Sequence, residues 1–372
     1  MTHIAAIKSS KRTIIHAHAK PADLRGFLEC AATLLPLAGL WYLAVLSVGV
    51  SYWLTAGVVV LMSLFLLRVF VLMHECGHGS LFRSAALNKV FGFVFGVLSG
   101  MPQYVWSKHH MFHHATNGNW SRYRGPLDIA AASDYAAMSA REQRRYRNAR
   151  SIWLAPLAGF VYLLLNPRLT WLRGSLGLAG HVVRRKIAQP AVSLRAHAAT
   201  FETPCWNSAP EYWHMLWNNV ALLALWVLLG ALVGPTLFLV CAVASVSLAG
   251  GAGIVLFTVQ HNFEHSYASA DEGWDHDRAA VEGTSFLILP AWLNWFTANI
   301  GYHHIHHLSA RIPFYRLVAC HVEHEHLFGD VRRITLSQIP AALKCVLWDT
   351  GARRIISVAE HLQQQLRAGV AA

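Results

Sequence analysis

The chain has 372 residues, of which 55% are hydrophobic and only 13% charged, whereas soluble domains carry about 25% charged residues. This composition excludes an ordinary soluble domain and indicates a membrane protein. The net charge of +12 does not call for a nucleic-acid partner, because the basic residues flank apolar segments and favour contact with anionic lipid headgroups. A solvated face that only sets topology, or a dock for an acidic redox partner, would explain the same residues.

Two long charge-free blocks predict an all-α integral membrane fold with four transmembrane helices in two hairpins. Residues 30–67 contain no charged side chain and are too many for one helix across a hydrocarbon core ~30 Å thick. We expect a turn near residues 49–53 and a second helix that continues into His74. Gly234 and Pro235 divide the other block, residues 212–263, into helices over roughly 217–233 and 236–260.

Two shorter apolar segments, residues 152–165 and 286–300, are interrupted by prolines, and we expect them to be interfacial or half-buried. Lys and Arg occur in the N-terminal and middle segments but in neither hairpin turn, so the positive-inside rule places both termini and the histidine motifs in the cytoplasm. We expect one membrane-embedded domain over residues 1–372, with a core at about 28–317 between cytoplasmic segments 1–26 and 318–372. Six cysteines without a CxxC pair argue against an iron-sulfur or zinc-ribbon site.

Histidine is unusually clustered, since 12 of the 23 histidines lie in four short motifs. The motifs are HECGH at 74–78, HHMFHH at 109–114, HNFEH at 261–265 and HHIHH at 303–307. Spacings of three and four residues bring imidazoles to one face of a helix. Eight to ten imidazoles exceed the four to six ligands that one metal ion accepts. The motifs therefore predict two metal ions, whose element the ligand type leaves open.

These motifs resemble the histidine boxes HxxxH, HxxHH and HxxHH of the membrane fatty acid desaturases, a branch of the integral-membrane di-iron oxygenases. The resemblance covers roughly residues 28–317 and is carried by HECGHGSLF, HHMFHHATNGN, VQHNFEHSY and NIGYHHIHHLSARIPFYRL. The sequences of these stretches resemble those of bacterial acyl-lipid desaturases of the omega-6 type. The resemblance implies four spans with a cytoplasmic helical cap that holds a histidine-rich di-iron site, in a multi-pass protein of the bacterial inner (cytoplasmic) membrane.

By the same resemblance, ten histidines are the expected metal ligands. They are His74, His78, His110, His113, His114, His261, His265, His303, His306 and His307. His109 and His304 lie beside the boxes but outside their spacing, and we interpret them as residues that pack near the ligands. We interpret His321, His324 and His326 as a feature of a surface helix.

The implied reaction is the O2-dependent insertion of a double bond into a lipid-linked fatty acyl chain, with two non-haem iron ions as cofactor. Zinc cannot change its redox state, whereas attack on an unactivated methylene needs a strong oxidant. The chain has no dinucleotide, haem or iron-sulfur motif. A separate ferredoxin- or cytochrome-type electron donor is therefore the expected partner, and membrane phospholipid acyl chains are the expected substrate. The bond position, the acyl carrier and the oligomeric state stay open.

Other side chains near the motifs are candidates for orienting the ligand rings or for lining an acyl channel. Polar residues that can orient ligand rings by hydrogen bonds are Glu75, Glu264, Asp128 and Asn299. Aromatic residues that can line an acyl channel, or anchor at the membrane interface, are Trp106, Trp292, Trp295 and Phe296.

Other functions would use part of this pattern. HECGH also matches HExxH, in which two histidines bind zinc and Glu75 would be the general base of a membrane metalloprotease. That function, like a ferritin-like carboxylate site built from ExxH pairs, leaves both HxxHH motifs unexplained. A metal transporter or haem-binding module would place ligands within the spans rather than at their ends. Among the oxygenases, a lipid or carotenoid hydroxylase or ketolase shares the histidine-rich site and differs in its pocket.

Overall fold

Helices form most of the chain in the computed structural model, which describes residues 3–122 and 128–370. The helices are α1 (His3–His18), α2 (Asp23–Val48), α3 (Tyr52–His78), α4 (Ala85–Ser99), α5 (Gln103–Thr116), α6 (Ala132–Ala137), α7 (Ala140–Ala149), α8 (Ala155–Phe160), α9 (Asn166–Ala188), α10 (Leu194–Ala199), α11 (Ala209–Val233), α12 (Pro235–His261), α13 (His276–Glu282), α14 (Ala291–Phe296), α15 (His303–Leu308), α16 (Phe314–Glu323), α17 (Ile339–Ala342) and α18 (Val358–Val370). A π-helical turn (Val161–Leu165) joins α8 to α9, and 3₁₀ turns lie at Ile152–Leu154, Glu325–Leu327 and Leu336–Gln338. The strands are β1 (Ala130–Ala131), β2 (Phe286–Ile288), β3 (Arg333–Thr335), β4 (Cys345–Asp349) and β5 (Arg354–Ser357).

Helices α2 and α3 form the first predicted hairpin, with the turn at residues 49–51 where the sequence predicts it. Ser51 caps α3 by accepting a backbone N–H on its hydroxyl oxygen at 3.2 Å. As expected, α3 continues into His74, and it runs without a break through the rest of the first histidine motif to His78. Gly79 then ends the helix with a φ of 68°, a left-handed conformation that costs glycine no strain.

Helices α11 and α12 form the second predicted hairpin. Gly234 separates them with a φ of 94°, and Pro235 occupies the first turn of α12, where its missing N–H leaves no hydrogen bond unmade. Helix α12 packs closely against α8, because a Cβ on Gly159 would lie 2.3 Å from the carbonyl carbon of Gly250. Small residues at this crossing allow the two backbones to touch.

Five helical segments among the described residues are long and apolar enough to cross a membrane, so the expected count of four spans is not confirmed. The additional segment is Ile152–Ala188, of which the sequence predicts residues 152–165 as interfacial or half-buried. The helix continues because Pro167 falls in the first turn of α9, directly after a π-helical turn that adapts the backbone. The other uncertain segment, residues 286–300, forms β2 and α14, and α14 is too short to span.

A sharp bend between α4 and α5 brings the second histidine motif to the first. The two helices meet at 99°. Gly100 takes a φ of 79°, and Pro102 precedes α5 and could not continue α4. Helix α4 packs along α3, and α5 returns to the same helix. The chain therefore passes the C-terminal end of α3 twice.

Short strands fix the segment that carries the last motif. Strand β2 pairs in parallel with β3, with Phe286 opposite Arg333, and the backbone N–H of Leu287 donates to the carbonyl of Gly301 at 2.9 Å. Strand β2 also contacts α12 and α15. In the other sheet, β4 pairs antiparallel with β5 and parallel with β1. The contacts of β2 hold α15 against the end of α12.

The buried core contains one ion pair between the first two long helices. Arg68 on α3 has no exposed surface, and its Nη2 lies 2.5 Å from Glu29 Oε2. Its Nε donates to Thr33 Oγ1 at 3.0 Å, and its guanidinium carbon lies 4.0 Å from the ring centre of Trp295. These contacts compensate the loss of hydration that burial of a charge causes.

Replacement of Glu29 by Gln should destabilise the fold by about 3–5 kcal/mol, because Arg68 stays buried without its counter-charge. The matched control is Arg25→Gln, which removes only the exposed ion pair between Arg25 and Glu29 (2.7 Å) and should cost less than about 1 kcal/mol. Thermal unfolding of the detergent-solubilised full chain measures both. Equal changes in Tm would contradict the role assigned to the buried pair.

Candidate metal centre

The last turn of α3 presents His74 and His78 on one face. Their Nε2 atoms lie 3.1 Å apart, as the spacing of four residues predicts. Gly77 lies between them, and a Cβ at this position would lie 2.3 Å from Ser107 Oγ on α5. A glycine within the first motif therefore allows α5 to lie directly against the end of α3.

Helix α5 supplies three buried histidines that point in two directions. His110 and His114 lie one turn apart, with their Nε2 atoms separated by 3.0 Å. His113 faces α12 instead, and its Nε2 lies 3.2 Å from Nε2 of His261. The second motif thus contributes to two neighbouring sites.

The last turn of α12 and the short helix α15 complete the cluster. His303 Nε2 lies 2.8 Å from His261 Nε2, and His306 Nε2 lies 3.1 Å from His114 Nε2. The ring of His307 stacks on that of His114, with ring centres 4.1 Å apart. All four of the motif histidines on α15 are buried.

Histidines of the four motifs form two adjacent groups. Within each group, one nitrogen of every ring lies within 4.8 Å of those of the others. The first group is His74, His78, His110, His114 and His306, and the second is His113, His261 and His307. His303 adjoins the second group through its contact with His261. Nine of the ten histidines predicted as ligands are therefore brought together.

The convergence of ring nitrogens suits metal coordination better than a hydrogen-bond network. His114 Nε2 faces both His110 Nε2 and His306 Nε2, and His261 is placed in the same way between α5 and α15. A ring nitrogen carries either one N–H or one lone pair, so it cannot hydrogen-bond to two neighbours at once. Several lone pairs that point at a common position can instead share a cation.

The imidazoles on α15 are held in the neutral form that metal coordination requires. Burial lowers the pKa of His303, His306 and His307 well below the ordinary value of 6.5, and the charges of neighbouring histidines lower it further. Neutral imidazole is a ligand for iron, copper, zinc and nickel. The residues therefore fit the metals that the motifs predict, without selecting the element.

One predicted ligand lies apart from the two groups. The His265 side chain is 72% exposed and lies 3.5 Å from Glu264, and its backbone has a φ of 65°. The left-handed backbone turns the chain away just after α12 ends. The structure does not bring His265 to either group.

His304 and His321 form a separate buried pair. His304 Nε2 lies 3.1 Å from His321 Nδ1, so His304 packs beside the ligand candidates as expected, whereas His109 is exposed. The interpretation of His321 as a surface residue is wrong, because it is only 6% exposed. Its spacing from Leu317 places it on the inner face of α16.

Glu75 joins the first motif to the segment after the last one. Its Oε2 accepts hydrogen bonds from Ser80 Oγ at 2.8 Å and from the backbone N–H of Phe314 at 3.0 Å. Its Oε1 lies 3.3 Å from Nδ1 of His74. Phe314 begins α16, so this carboxylate connects the end of α3 to the chain that follows α15.

The other polar candidates have different partners. Glu264 pairs with Arg354 at 2.9 Å. Asn299 donates from Nδ2 to the carbonyl of Phe314 at 3.3 Å. Asp128 is exposed. Among the four, Glu75 is the one that lies beside a ring of the two groups.

Aromatic side chains cover one side of the groups. Trp106 stacks on His110 with ring centres 4.5 Å apart and donates from Nε1 to Tyr162 Oη at 3.0 Å. Phe257 lies 5.1 Å from His113; sequence reasoning missed it, although it precedes His261 by one helical turn.

The other three predicted channel residues have different surroundings. Trp295 and Phe296 contact Phe65, and Trp292 is 58% exposed. The cavity that borders His261 measures about 60 Å³, whereas ligand pockets usually measure about 300–1,000 Å³. The lining of an acyl channel therefore stays a prediction.

Comparison with known proteins gives one family. The family model described as fatty acid desaturase matches residues 51–337. A fatty acid desaturase of Bacillus subtilis (strain 168) is 34% identical over 345 residues, which cover 92% of this chain and 88% of that protein. A chloroplastic omega-3 fatty acid desaturase of Glycine max is 26% identical over 71% of this chain and 53% of its own length. An endoplasmic reticulum omega-3 fatty acid desaturase of Vigna radiata var. radiata is 23% identical over 71% of this chain and 63% of its own length.

Replacement of Glu75 by Ala should lower both the metal content and the Tm, because the buried N–H of Phe314 loses its acceptor at a cost of about 1–3 kcal/mol. Glu75→Gln keeps an acceptor oxygen and should retain more of both. The control is Glu264→Ala, whose side chain is half exposed. Metal analysis and thermal unfolding of the purified variants measure the effect; equal losses in the Glu75→Ala and Glu264→Ala variants would contradict this role.

Proposed function

Since the chain belongs to the fatty acid desaturase family and is therefore an oxidoreductase, we propose that it inserts a double bond into the acyl chain of a membrane lipid with O2 as co-substrate. The observation that carries the proposal is the pair of adjacent all-histidine groups at the ends of α3 and α12, in which every ring except that of His78 is buried. Both helices are apolar enough to cross a membrane. Such a site lies where the acyl chain of a bilayer lipid can reach it.

Nine histidines would hold the cofactor, which we take to be two iron ions. The first ion would bind to His74, His78, His110, His114 and His306, and the second to His113, His261, His303 and His307. Iron in this pair would supply the redox change that zinc cannot undergo. His265 is left out of the proposed set because its side chain is exposed.

The net reaction removes two hydrogen atoms from neighbouring methylenes and, with two electrons and two protons from outside, reduces O2 to two molecules of water. The protein's own contribution is to hold the rings and to keep bulk water away from them. Trp106 fixes the plane of His110 by stacking, and Glu75 anchors α16 next to His74. Exclusion of water protects reactive species from side reactions.

The geometry of Glu75 does not support the metalloprotease alternative. Its Oε2 accepts hydrogen bonds from Ser80 and Phe314, and its Oε1 lies 3.3 Å from Nδ1 of His74, so both oxygens face groups of the protein. A protease would also leave the second histidine group without a role. A hydroxylase or ketolase would share the metal chemistry and is distinguished by its product.

The proposed partners follow from the electron requirement and from surface charge. A ferredoxin- or cytochrome-type protein would deliver the two electrons. Helix α7 exposes Arg141, Arg144 and Arg145, which supports contact with anionic phospholipid headgroups.

We propose that the chain is a single multi-pass domain of the bacterial cytoplasmic membrane, with the histidine groups facing the cytoplasm.

Production of the intact chain in a heterologous host under air should give a new unsaturated fatty acid, while His306→Ala should give none, because the first group loses a ligand. Gas chromatography with mass spectrometry of total membrane fatty acids measures this, and fragmentation fixes the bond position. A matched control is His109→Ala, which changes an exposed histidine of the second motif and should retain activity.

A hydroxylated acid in place of an unsaturated one would assign the chain to hydroxylation. Co-production of a ferredoxin and its reductase excludes the absence of an electron donor as the cause of a negative result. With that donor present, equal unsaturated product from the intact chain and from His306→Ala would contradict the proposed centre.

A further inference from the structure

A third group of possible metal ligands lies between the N-terminal helix and α16, separate from the two histidine groups. His18 is the last residue of α1, Glu323 is the last residue of α16, and His324 follows it. One ligand atom of each lies within 4.8 Å of the other two. The family motifs do not include these residues, which lie outside all four histidine boxes.

The His18 side chain is buried without the hydrogen bonds that its ring needs. It is 3% exposed, and neither ring nitrogen has a hydrogen-bond partner within the part of the chain that the structure describes. Its Nε2 lies 3.0 Å from Glu323 Oε2, but without the alignment of a hydrogen bond. An unsatisfied buried polar group costs free energy. A cation between the two atoms would satisfy both.

His324 supplies a second imidazole at the same place. Its Nε2 also lacks a hydrogen-bond partner within residues 3–122 and 128–370, and its ring meets that of His18 edge-on, with centres 5.5 Å apart. Its backbone N–H donates to the carbonyl of Cys320 at 3.2 Å, which fixes the residue at the end of α16. Two imidazoles and a carboxylate form a donor set that Zn²⁺ accepts, with water in the fourth position.

We propose that His18, Glu323 and His324 bind a zinc ion that fastens the C-terminal end of α1 to α16. The other half of α1 is already held, because Lys8 and Lys11 form ion pairs with Asp275 and Asp277 near the start of α13. The ion secures the end of α1 that these pairs do not reach. The Glu323 side chain is 61% exposed, so the ion can enter the site from solvent.

This arrangement links the N terminus to the chain that carries the last histidine motif. Helix α16 begins at Phe314, whose N–H donates to Glu75, and it follows α15 after a short loop. A zinc ion at its far end therefore holds both ends of α16 in place. Its role is structural, and the proposal does not depend on which metal occupies the two histidine groups.

Zinc binding to the detergent-solubilised full chain tests the site. The protein is incubated with zinc sulfate and desalted, and bound zinc and iron are counted by plasma mass spectrometry. The intact chain should hold one more zinc per molecule than His18→Ala or Glu323→Gln, with unchanged iron. His16→Ala is the matched control, because His16 is exposed on the same helix, and it should bind zinc like the intact chain. Equal zinc in all four proteins would overturn the proposal.

Protection of α1 from trypsin gives an independent measurement that does not depend on counting metals. Zinc sulfate should slow cleavage at the basic residues of α1 several-fold in the intact chain and in His16→Ala, and should have no effect in Glu323→Gln. Glu323 is exposed at the helix end, so this variant keeps the fold. If zinc sulfate slowed cleavage in neither protein, as a simple ion pair between His18 and Glu323 would predict, or slowed it equally in the intact chain and Glu323→Gln, the proposal would be overturned.

Discussion

The structure depends on the close packing of nine imidazoles against one another. The Nε2 atoms of eight of them lie between 2.8 and 3.2 Å from a neighbouring Nε2, although a ring nitrogen offers only one N–H or one lone pair. Contacts of this kind persist only if the backbone elements are held rigidly from outside. The long helices, their caps and the short strands supply that support, and the proposed metal ions would supply the attraction that the rings themselves lack.

Most of the supporting contacts lie at helix ends. Gly79 stops α3 directly after His78, and the bend at Gly100 returns α5 to the same place. Glu75 connects that place to the start of α16, and β2 holds α15 near α12. Within the long helices, the ion pair of Arg68 and Glu29 joins α2 to α3 in surroundings where an unpaired charge would be costly.

Local patterns in the sequence predict the two hairpins and the clustering of histidines, because both follow from short-range rules. Charge-free blocks of known length predict the hairpins, and the Gly234–Pro235 pair predicts where one of them turns. The continuation of the helical segment from α8 through Pro167 into α9 could not be predicted in the same way. A proline can begin a helix as readily as it ends one, and the preceding π-helical turn follows α8, which packs against α12.

The sequence by itself determined which side chains are available: histidines spaced by three and four residues at the ends of apolar helices, and hence groups that can hold a metal ion. Only the tertiary structure decided how they are divided. His113 and His114 are neighbours in one motif, but about 100° of rotation per residue directs His113 to His261 and His114 to His306. The tertiary structure also placed His265 outside both histidine groups and buried His321. The spacing of residues along a helix determines the direction in which each ring points from that helix. Which neighbouring helix the ring meets is determined by packing between segments far apart in the chain.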